Sequence, residues 1–221
     1  MNTIHDCGGM DGFTLLERVQ GRILKKEWER QLWGARFAVR GAPGLGSGGR
    51  AAIERIPPDV YLRTPYYALR LMRLEEELIK SGLVTEAELA DPDGPVAIPN
   101  APNFRPSTPE EAVAMLASDS SEELGAEVPP LFSVGDDIVV KNEHPKGHTR
   151  VPRYLRGHHG AIHRHHGVNE FQDDVGGKDV GQQHLYTVRF NSSELWGSRA
   201  HPNDVVYAEL WDYHLQAASD D

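Results

Sequence analysis

The residues best suited to chemistry in this chain lie in a short basic segment at residues 145–157. It contains Lys146, Arg150, Arg153 and Arg156, although the formal net charge of the whole chain is -10. Proline and glycine interrupt the segment, and no amphipathic period runs through it, which predicts an ordered loop entering a strand. Arginine grips oxyanions through a planar two-pronged fork. From these residues alone the segment is more typical of a plain basic surface loop, and an anion-binding loop is the alternative.

Composition and charge narrow the class of protein. The chain has 221 residues, of which 39% are hydrophobic and 25% charged, as expected for one large or two small folded domains. Its negative charge argues against non-specific nucleic-acid binding, because the phosphate backbone would repel it. No apolar run in the sequence is long enough to span a bilayer. With a single cysteine, Cys7, and no leader pattern at residues 1–9, the sequence predicts a cytoplasmic protein.

Three regions are predicted along the chain, and together they indicate an α+β protein. Residues 1–100 combine a glycine-rich start, expected to lie as an extended arm, with helical spacing, which predicts an N-terminal arm and helical domain. Residues 101–130 carry one basic side chain against six acidic ones, which indicates an acidic linker with a short helix. Residues 131–221 contain short alternating strands separated by glycine turns, which predicts a C-terminal small SH3-like β-barrel or roll.

Two helix starts are marked by residues that commonly cap helices. Thr64 followed by Pro65 predicts an N-cap with proline at the first helical position, and the helix after it should run from Tyr66 to about Ser81. Thr85 with Glu88 three residues later predicts a capping box.

Other residues that could take part in chemistry indicate a functional site less clearly. Cys7 has no cysteine-centred catalytic signature around it. The glycine-rich residues 44–50 lack the preceding strand and the following Lys-Ser/Thr of a phosphate loop. A metal site is one interpretation of a histidine-rich stretch, but zinc sites usually show fixed spacing with cysteine or carboxylate partners, so incidental metal affinity is favoured. Seven of the eleven histidines lie there: His144, His148, His158, His159, His163, His165 and His166.

The order of short motifs along the whole chain resembles the β subunit of nitrile hydratase. The resemblance does not depend on one motif, because many occur in family order over both halves. They are Met1 to Asp6 with Gly8-Gly9, Glu27-Trp28-Glu29, Glu54-Arg55-Ile56, Tyr61-Leu62, Pro65-Tyr66-Tyr67, Gly82-Leu83-Val84-Thr85, residues 145–157, Gly160, His165-His166-Gly167, residues 184–190, Glu194-Leu195-Trp196-Gly197 and Leu210-Trp211-Asp212.

The resemblance implies a function that is shared between two chains. A partner α subunit would hold Fe(III) or Co(III) in a cysteine-rich loop, with two cysteines oxidised to sulfenic and sulfinic acids, and no metal would bind to this chain. Arg50 and Arg150 match the two β-subunit arginines that hydrogen-bond the oxidised sulfurs, and Tyr66 matches a tyrosine of the substrate pocket. The implied reaction is hydration of a small nitrile to an amide by an obligate complex, expected to be an α2β2 assembly.

One departure from the family pattern and two rival functions accompany this resemblance. Gly46-Ser47-Gly48-Gly49 stands before Arg50, where the family usually has acidic residues and a continuing helix.

A metallochaperone or activator for the same enzyme is one alternative function, because small activators resemble the N-terminal half of this chain. A subunit of the related thiocyanate hydrolase is the other, although its two halves occur as separate chains.

Overall fold

The chain contains two compact units. The computed structural model describes residues 6, 23–42, 45, 51–96, 104–117, 128–176 and 178–218. The helical unit comprises the described residues between Phe13 and Asp119. The β unit comprises those from Ser120 onwards together with Asp6. The predicted combination of a helical N-terminal part and a strand-rich C-terminal part is confirmed.

The described part of the helical unit is built from short helices around α4. Helix α4 packs against α1 and α2, and α6 packs against α1. The backbone N–H of Ser107 donates to the carbonyl oxygen of Ala38 at 2.8 Å, so the helix of the acidic segment belongs with the helical unit. The predicted boundaries at residues 100 and 130 stay a prediction. The helices are α1 (Glu27–Ala38), α2 (Ala51–Glu54), α3 (Pro58–Arg63), α4 (Tyr66–Lys80), α5 (Glu86–Ala90) and α6 (Pro109–Ala117).

Capping residues explain where two of these helices begin. The capping box at α5 is confirmed, because the N–H of Glu88 donates to Thr85 Oγ1 at 3.2 Å and the N–H of Thr85 donates to Glu88 Oε2 at 2.8 Å. The prediction that Thr64 caps α4 is wrong. Its hydroxyl donates back to the carbonyl oxygen of Val60 at 2.6 Å and ends α3, while Pro65 is the residue that precedes α4.

The β unit is organised by a five-stranded antiparallel sheet with strand order β4-β3-β2-β1-β5. Its core is apolar, and Gly160 on β2 lets two strands approach closely, because a Cβ there would lie 2.7 Å from Val188 Cγ1. The described pairings do not join the two edge strands, so the sheet is open and a closed SH3-like barrel is not confirmed. The strands are β1 (Asp137–Val140), β2 (His159–Asn169), β3 (Gln183–Asn191), β4 (Val205–Trp211) and β5 (Leu215–Ala217), with helix α7 (Ser192–Trp196) after β3.

One carboxylate links helix α7 to the start of β2 and makes stability depend on pH. Glu194 Oε1 accepts from the backbone N–H of His159 at 3.0 Å and lies 3.2 Å from His158 Nδ1. The hydrogen bond from His159 is the main cause that lowers the pKa of Glu194, and the contact with His158 adds to it. A carboxyl group with a lowered folded-state pKa stabilises the fold above its unfolded pKa, and that stabilisation disappears as the pH falls through the folded pKa.

We therefore expect Glu194→Gln to lower the free energy of unfolding at pH 7 by less than about 1 kcal/mol, because the pair is partly exposed. At pH 3 the difference in stability between the variant and the parent protein should be smaller than at pH 7. Urea unfolding at the two pH values measures the difference. An equal loss at both pH values would show that the negative charge of Glu194 is not what stabilises this contact.

No helix within the described stretches of the chain is both long and apolar enough to cross a membrane.

Candidate functional site

The loop that carries Arg150 is hydrogen-bonded to a second loop, which contains Asp173 and Asp174. The carboxylate of Asp173 accepts a hydrogen bond from the backbone N–H of Arg150 at 2.8 Å through Oδ1. The backbone N–H of Asp174 donates to the carbonyl oxygen of His148, also at 2.8 Å. Gly147 passes so close to this second loop that a Cβ would lie 2.7 Å from the Asp174 side chain. Two hydrogen bonds therefore connect the backbone around Arg150 to the second loop.

A buried histidine fixes Asp173 in turn. His214 Nε2 lies 2.9 Å from Asp173 Oδ2, and each side chain is only 3% exposed. The N–H of Trp211 donates to His214 Nδ1 at 3.2 Å, so Nδ1 carries no proton and Nε2–H is the donor to Asp173. Both oxygens of Asp173 thus receive hydrogen bonds from anchored groups, one from the sheet end and one from the Arg150 loop.

Arg156 and Asp6 also hydrogen-bond the backbone of the loop that carries Arg150. Arg156 is buried, and its Nη2 donates to the carbonyl oxygen of Val151 at 2.9 Å. Burial is the largest cause of the lowered pKa of the Arg156 guanidinium. Asp6, which is 1% exposed, accepts from the backbone N–H of Arg153 at 2.8 Å. Of the three arginines predicted to grip anions in this segment, Arg156 therefore has a structural role in the loop.

A cavity of 410 Å³ opens beside the loop in the β unit. Its wall is formed by several residues between Lys141 and Val151, by Asp173 to Gly176 with Lys178, and by Tyr213 and His214 at the end of the sheet. Tyr213 is part of that wall, and Lys141 Nζ lies 5.5 Å from its ring centroid. The charged lining residues carry both signs: Lys141, Glu143, Lys146, Asp173, Asp174 and Lys178.

Tyr66 lies at the first position of α4, as predicted, and is 56% exposed. Its hydroxyl accepts a hydrogen bond from Arg70 Nη2 at 2.7 Å, and the Arg70 guanidinium carbon lies 4.9 Å from the ring centroid. Tyr67 packs edge-on against the same ring, with centroids 5.1 Å apart. The exposed phenol is therefore held in place from two sides and can serve as the wall of a site.

Several predicted residues are not brought together in the described structure. Arg50 and Cys7 lie outside the described residues. Arg150 and Tyr66 belong to different units, and each is described within its own. Asp173, His214 and Arg70 were missed by the sequence analysis. For Asp173 and His214 the only signal in the sequence was that each lies near one of the family motifs. For Arg70 the signal was its position four residues after Tyr66 on a predicted helix.

The histidines of residues 144–166 have separate partners. His165 Nε2 lies 2.8 Å from His184 Nδ1, and His166 Nε2 lies 2.7 Å from Thr187 Oγ1. His144 Nδ1 lies 2.9 Å from Arg156 Nη1. Among the residues that the structure describes, no group of three or more His, Cys, Asp or Glu side chains could hold a metal ion.

The fold and the candidate residues together define a class of protein. It is a two-unit α+β protein with an arginine loop fixed by hydrogen bonds in one unit and an exposed tyrosine contacted by Arg70 in the other. Comparison with known families makes the class specific. The family descriptions "Nitrile hydratase beta subunit, N-terminal" and "Nitrile hydratase beta subunit, C-terminal" match residues 1–114 and 121–217. The chain therefore belongs to the nitrile hydratase β-subunit family.

Two relatives agree with this assignment along nearly the full length. The nitrile hydratase β subunit of Pseudomonas putida is 33% identical over 99% of this chain and 100% of its own. The β subunit of the cobalt-containing nitrile hydratase of Pseudonocardia thermophila is 30% identical over 98% of this chain and 96% of its own. A solved apo-enzyme structure of thiocyanate hydrolase from Thiobacillus thioparus is 26% identical, with a TM-score of 0.37, over 41% of this chain and 78% of its own.

Proposed function

We propose that this chain is the β subunit of an enzyme that hydrates small nitriles to amides, and that it acts in an obligate complex with an α subunit. The observation that carries the proposal is the match of both family descriptions across the chain. The anchored Arg150 loop is the structural feature that agrees with it best, because a loop fixed by Asp173 and Asp174 suits a cation that must meet a partner's anion at one position.

In this proposal Arg150 hydrogen-bonds the oxidised cysteine sulfurs of the α subunit. Sulfenate and sulfinate oxygens at a protein interface are anions removed from water, and leaving them unpaired costs free energy. A guanidinium meets two oxygens at once and does not lose its proton at neutral pH. Arg150 would thus hold both the geometry and the charge of the partner's loop, while Asp173 holds the backbone of Arg150.

Arg50 and Tyr66 are the other two residues assigned to the site. Arg50 is proposed to bind the second oxidised sulfur, on the basis of the family resemblance alone. Tyr66 is proposed to line the substrate pocket. Its hydroxyl already accepts a hydrogen bond from Arg70, so the phenol presents an oriented O–H bond to a bound nitrile or amide.

The metal of the proposed enzyme, iron or cobalt, is assigned to the α subunit. A bound trivalent ion supplies Lewis acidity toward a nitrile or a water molecule. The described residues of this chain offer no group that fits such an ion, and the roles proposed here for this chain are to bind, to orient and to exclude water. An α2β2 assembly, a cytoplasmic location and closure of the sheet into a small barrel belong to the same proposal.

We expect hydration of acetonitrile to require both chains. The chain is co-expressed with a candidate α subunit, and acetamide formation is measured for the complex and for each chain alone. A stable one-to-one complex that is active only as a pair supports the proposal. An α subunit that stays active after this chain is removed would instead show a transient maturation factor. Turnover of thiocyanate in preference to acetonitrile would show a thiocyanate hydrolase subunit.

A further inference from the structure

The helical unit contains a cavity of 540 Å³ that the proposed function does not use. It is bounded by α1, by the segment that follows α1, and by α4. Its wall has two kinds of side chain, arginines and large apolar groups. The lining residues are Trp33, Arg36, Phe37, Arg40, Leu45, Arg73 and Glu77.

The cavity wall has an excess of positive charge. Arg73 and Glu77, whose side chains are 8% and 9% exposed, form an ion pair in which Nε lies 2.8 Å from Oε1. No carboxylate in the described part of the chain forms an ion pair with Arg36. Burial, followed by the nearby charges of Arg73 and Arg70, lowers the pKa of the Arg36 guanidinium. Arg36 is thus a partly buried cation near two other arginines and one carboxylate, that of Glu77, and a bound anion would stabilise it.

Arg70 adds a further unsatisfied donor next to this cluster. It lies one turn before Arg73 on α4, and its Nη2 donates to Tyr66 Oη. Its Nε is buried and has no hydrogen-bond partner among the residues that the structure describes. A buried donor without an acceptor is destabilising. Arg70 is not among the residues that line the cavity, but its positive charge acts on Arg36.

The apolar part of the cavity wall indicates which chemical group a bound anion should carry. Trp33 and Phe37 pack edge to face with ring centroids 5.6 Å apart, and the Arg36 guanidinium lies 5.8 Å from the Trp33 ring centroid. A ligand whose charged end meets Arg36 would therefore place its body against aromatic rings. Planar two-oxygen anions match the guanidinium fork best.

We propose that this cavity is a binding site for a carboxylate, with Arg36 as its principal cation and the Trp33–Phe37 pair as the wall for the apolar body. The carboxylate is either that of a small aromatic acid or that of an aspartate or glutamate on a protein partner. The chemistry is the same in both cases, and the two sources are separated by experiment.

The first arm of the test uses the purified full chain and benzoate at low ionic strength, followed by titration calorimetry. Benzoate is expected to bind with a millimolar dissociation constant, and neutral benzamide about 10-fold more weakly or not at all. Arg36→Gln should weaken benzoate binding by about 10-fold or more. Arg63→Gln, which alters an exposed arginine of α3, is the matched control and should leave binding unchanged.

The melting temperature separates a binding role from a structural one. If Arg36 serves a ligand, Arg36→Gln should keep or raise the melting temperature of the unliganded chain, because it removes a desolvated cation from a cationic cluster. A clear fall in melting temperature, with no benzoate binding to the parent chain, would show that Arg36 only supports the fold.

The second arm measures the affinity of the chain for the α subunit and rests on the proposed function. If benzoate does not bind but Arg36→Gln weakens the complex about 10-fold while Arg63→Gln does not, the carboxylate belongs to the partner. If Arg36→Gln changes neither benzoate binding nor partner affinity, the proposal is wrong. Failure of the parent chain to bind the α subunit would refute the proposed function, and the benzoate titration would still decide the carboxylate site.

Discussion

Arg150→Lys is expected to lower the kcat/KM of the assembled enzyme for acetonitrile by about 100-fold, equivalent to roughly 2.7 kcal/mol. Lysine keeps the positive charge, but it offers a single ammonium group where the guanidinium offers a planar fork. One of the oxygens on the partner's oxidised cysteine sulfurs that Arg150 is proposed to bind would lose its hydrogen bond. The loss should appear mainly in kcat, because the partner's reactive loop rather than substrate binding is disturbed.

The structure provides a reason why this variant should still fold. Asp173 receives its hydrogen bond from the backbone N–H of Arg150, not from the side chain, so the loop keeps its anchor. Arg164→Lys on β2, where the side chain is exposed, is the matched control and should retain parental activity. An Arg150→Lys enzyme with kcat/KM within about threefold of the parent would remove Arg150 from the proposed site.

Asp173→Asn should lower both stability and activity, because Asp173 stands between two anchored donors. His214 Nε2–H and the Arg150 N–H each point at one carboxylate oxygen. An amide has one oxygen, so its NH₂ group must face one of these donors. His214 cannot move its proton to Nδ1 without losing the hydrogen bond from Trp211. One buried donor is left unsatisfied, at a cost of about 1–3 kcal/mol.

For a chain of this size such a cost corresponds to a fall in melting temperature of roughly 3–10 °C. We expect kcat/KM at 20 °C to fall about 10-fold, because one side chain no longer anchors both the Arg150 backbone and His214. Asp136→Asn is the matched control, since Asp136 accepts one exposed hydrogen bond from the Ser133 N–H in the same unit. It should change neither quantity appreciably.

A double variant distinguishes positioning of Arg150 from general destabilisation. If Asp173 acts through Arg150, adding Asp173→Asn to Arg150→Lys should lower kcat/KM little further. Multiplication of the two single effects in fully assembled enzyme would show that Asp173 acts independently of Arg150, and its assignment as a positioning residue would be wrong.

The sequence by itself determined the class of fold and the family. Helical spacing predicted α4, the Thr85–Glu88 pair predicted the start of α5, and alternation of apolar residues predicted β3, because these patterns depend on residues close together in the chain. The family followed from many short motifs in order. Arg50 was assigned by the resemblance alone, and its role stays a prediction.

Only the tertiary structure decided which groups surround the candidate residues. The Asp173 carboxylate meets an N–H that lies 23 residues before it and a histidine 41 residues after it, and no local pattern encodes contacts at that separation. The histidine-rich stretch looked like one cluster in sequence. Most of it lies on β2, where successive side chains point to opposite faces of the sheet, so neighbours in sequence have different partners in space. The cationic cavity has the same origin, since Arg36 and Arg73 meet only because α1 packs against α4.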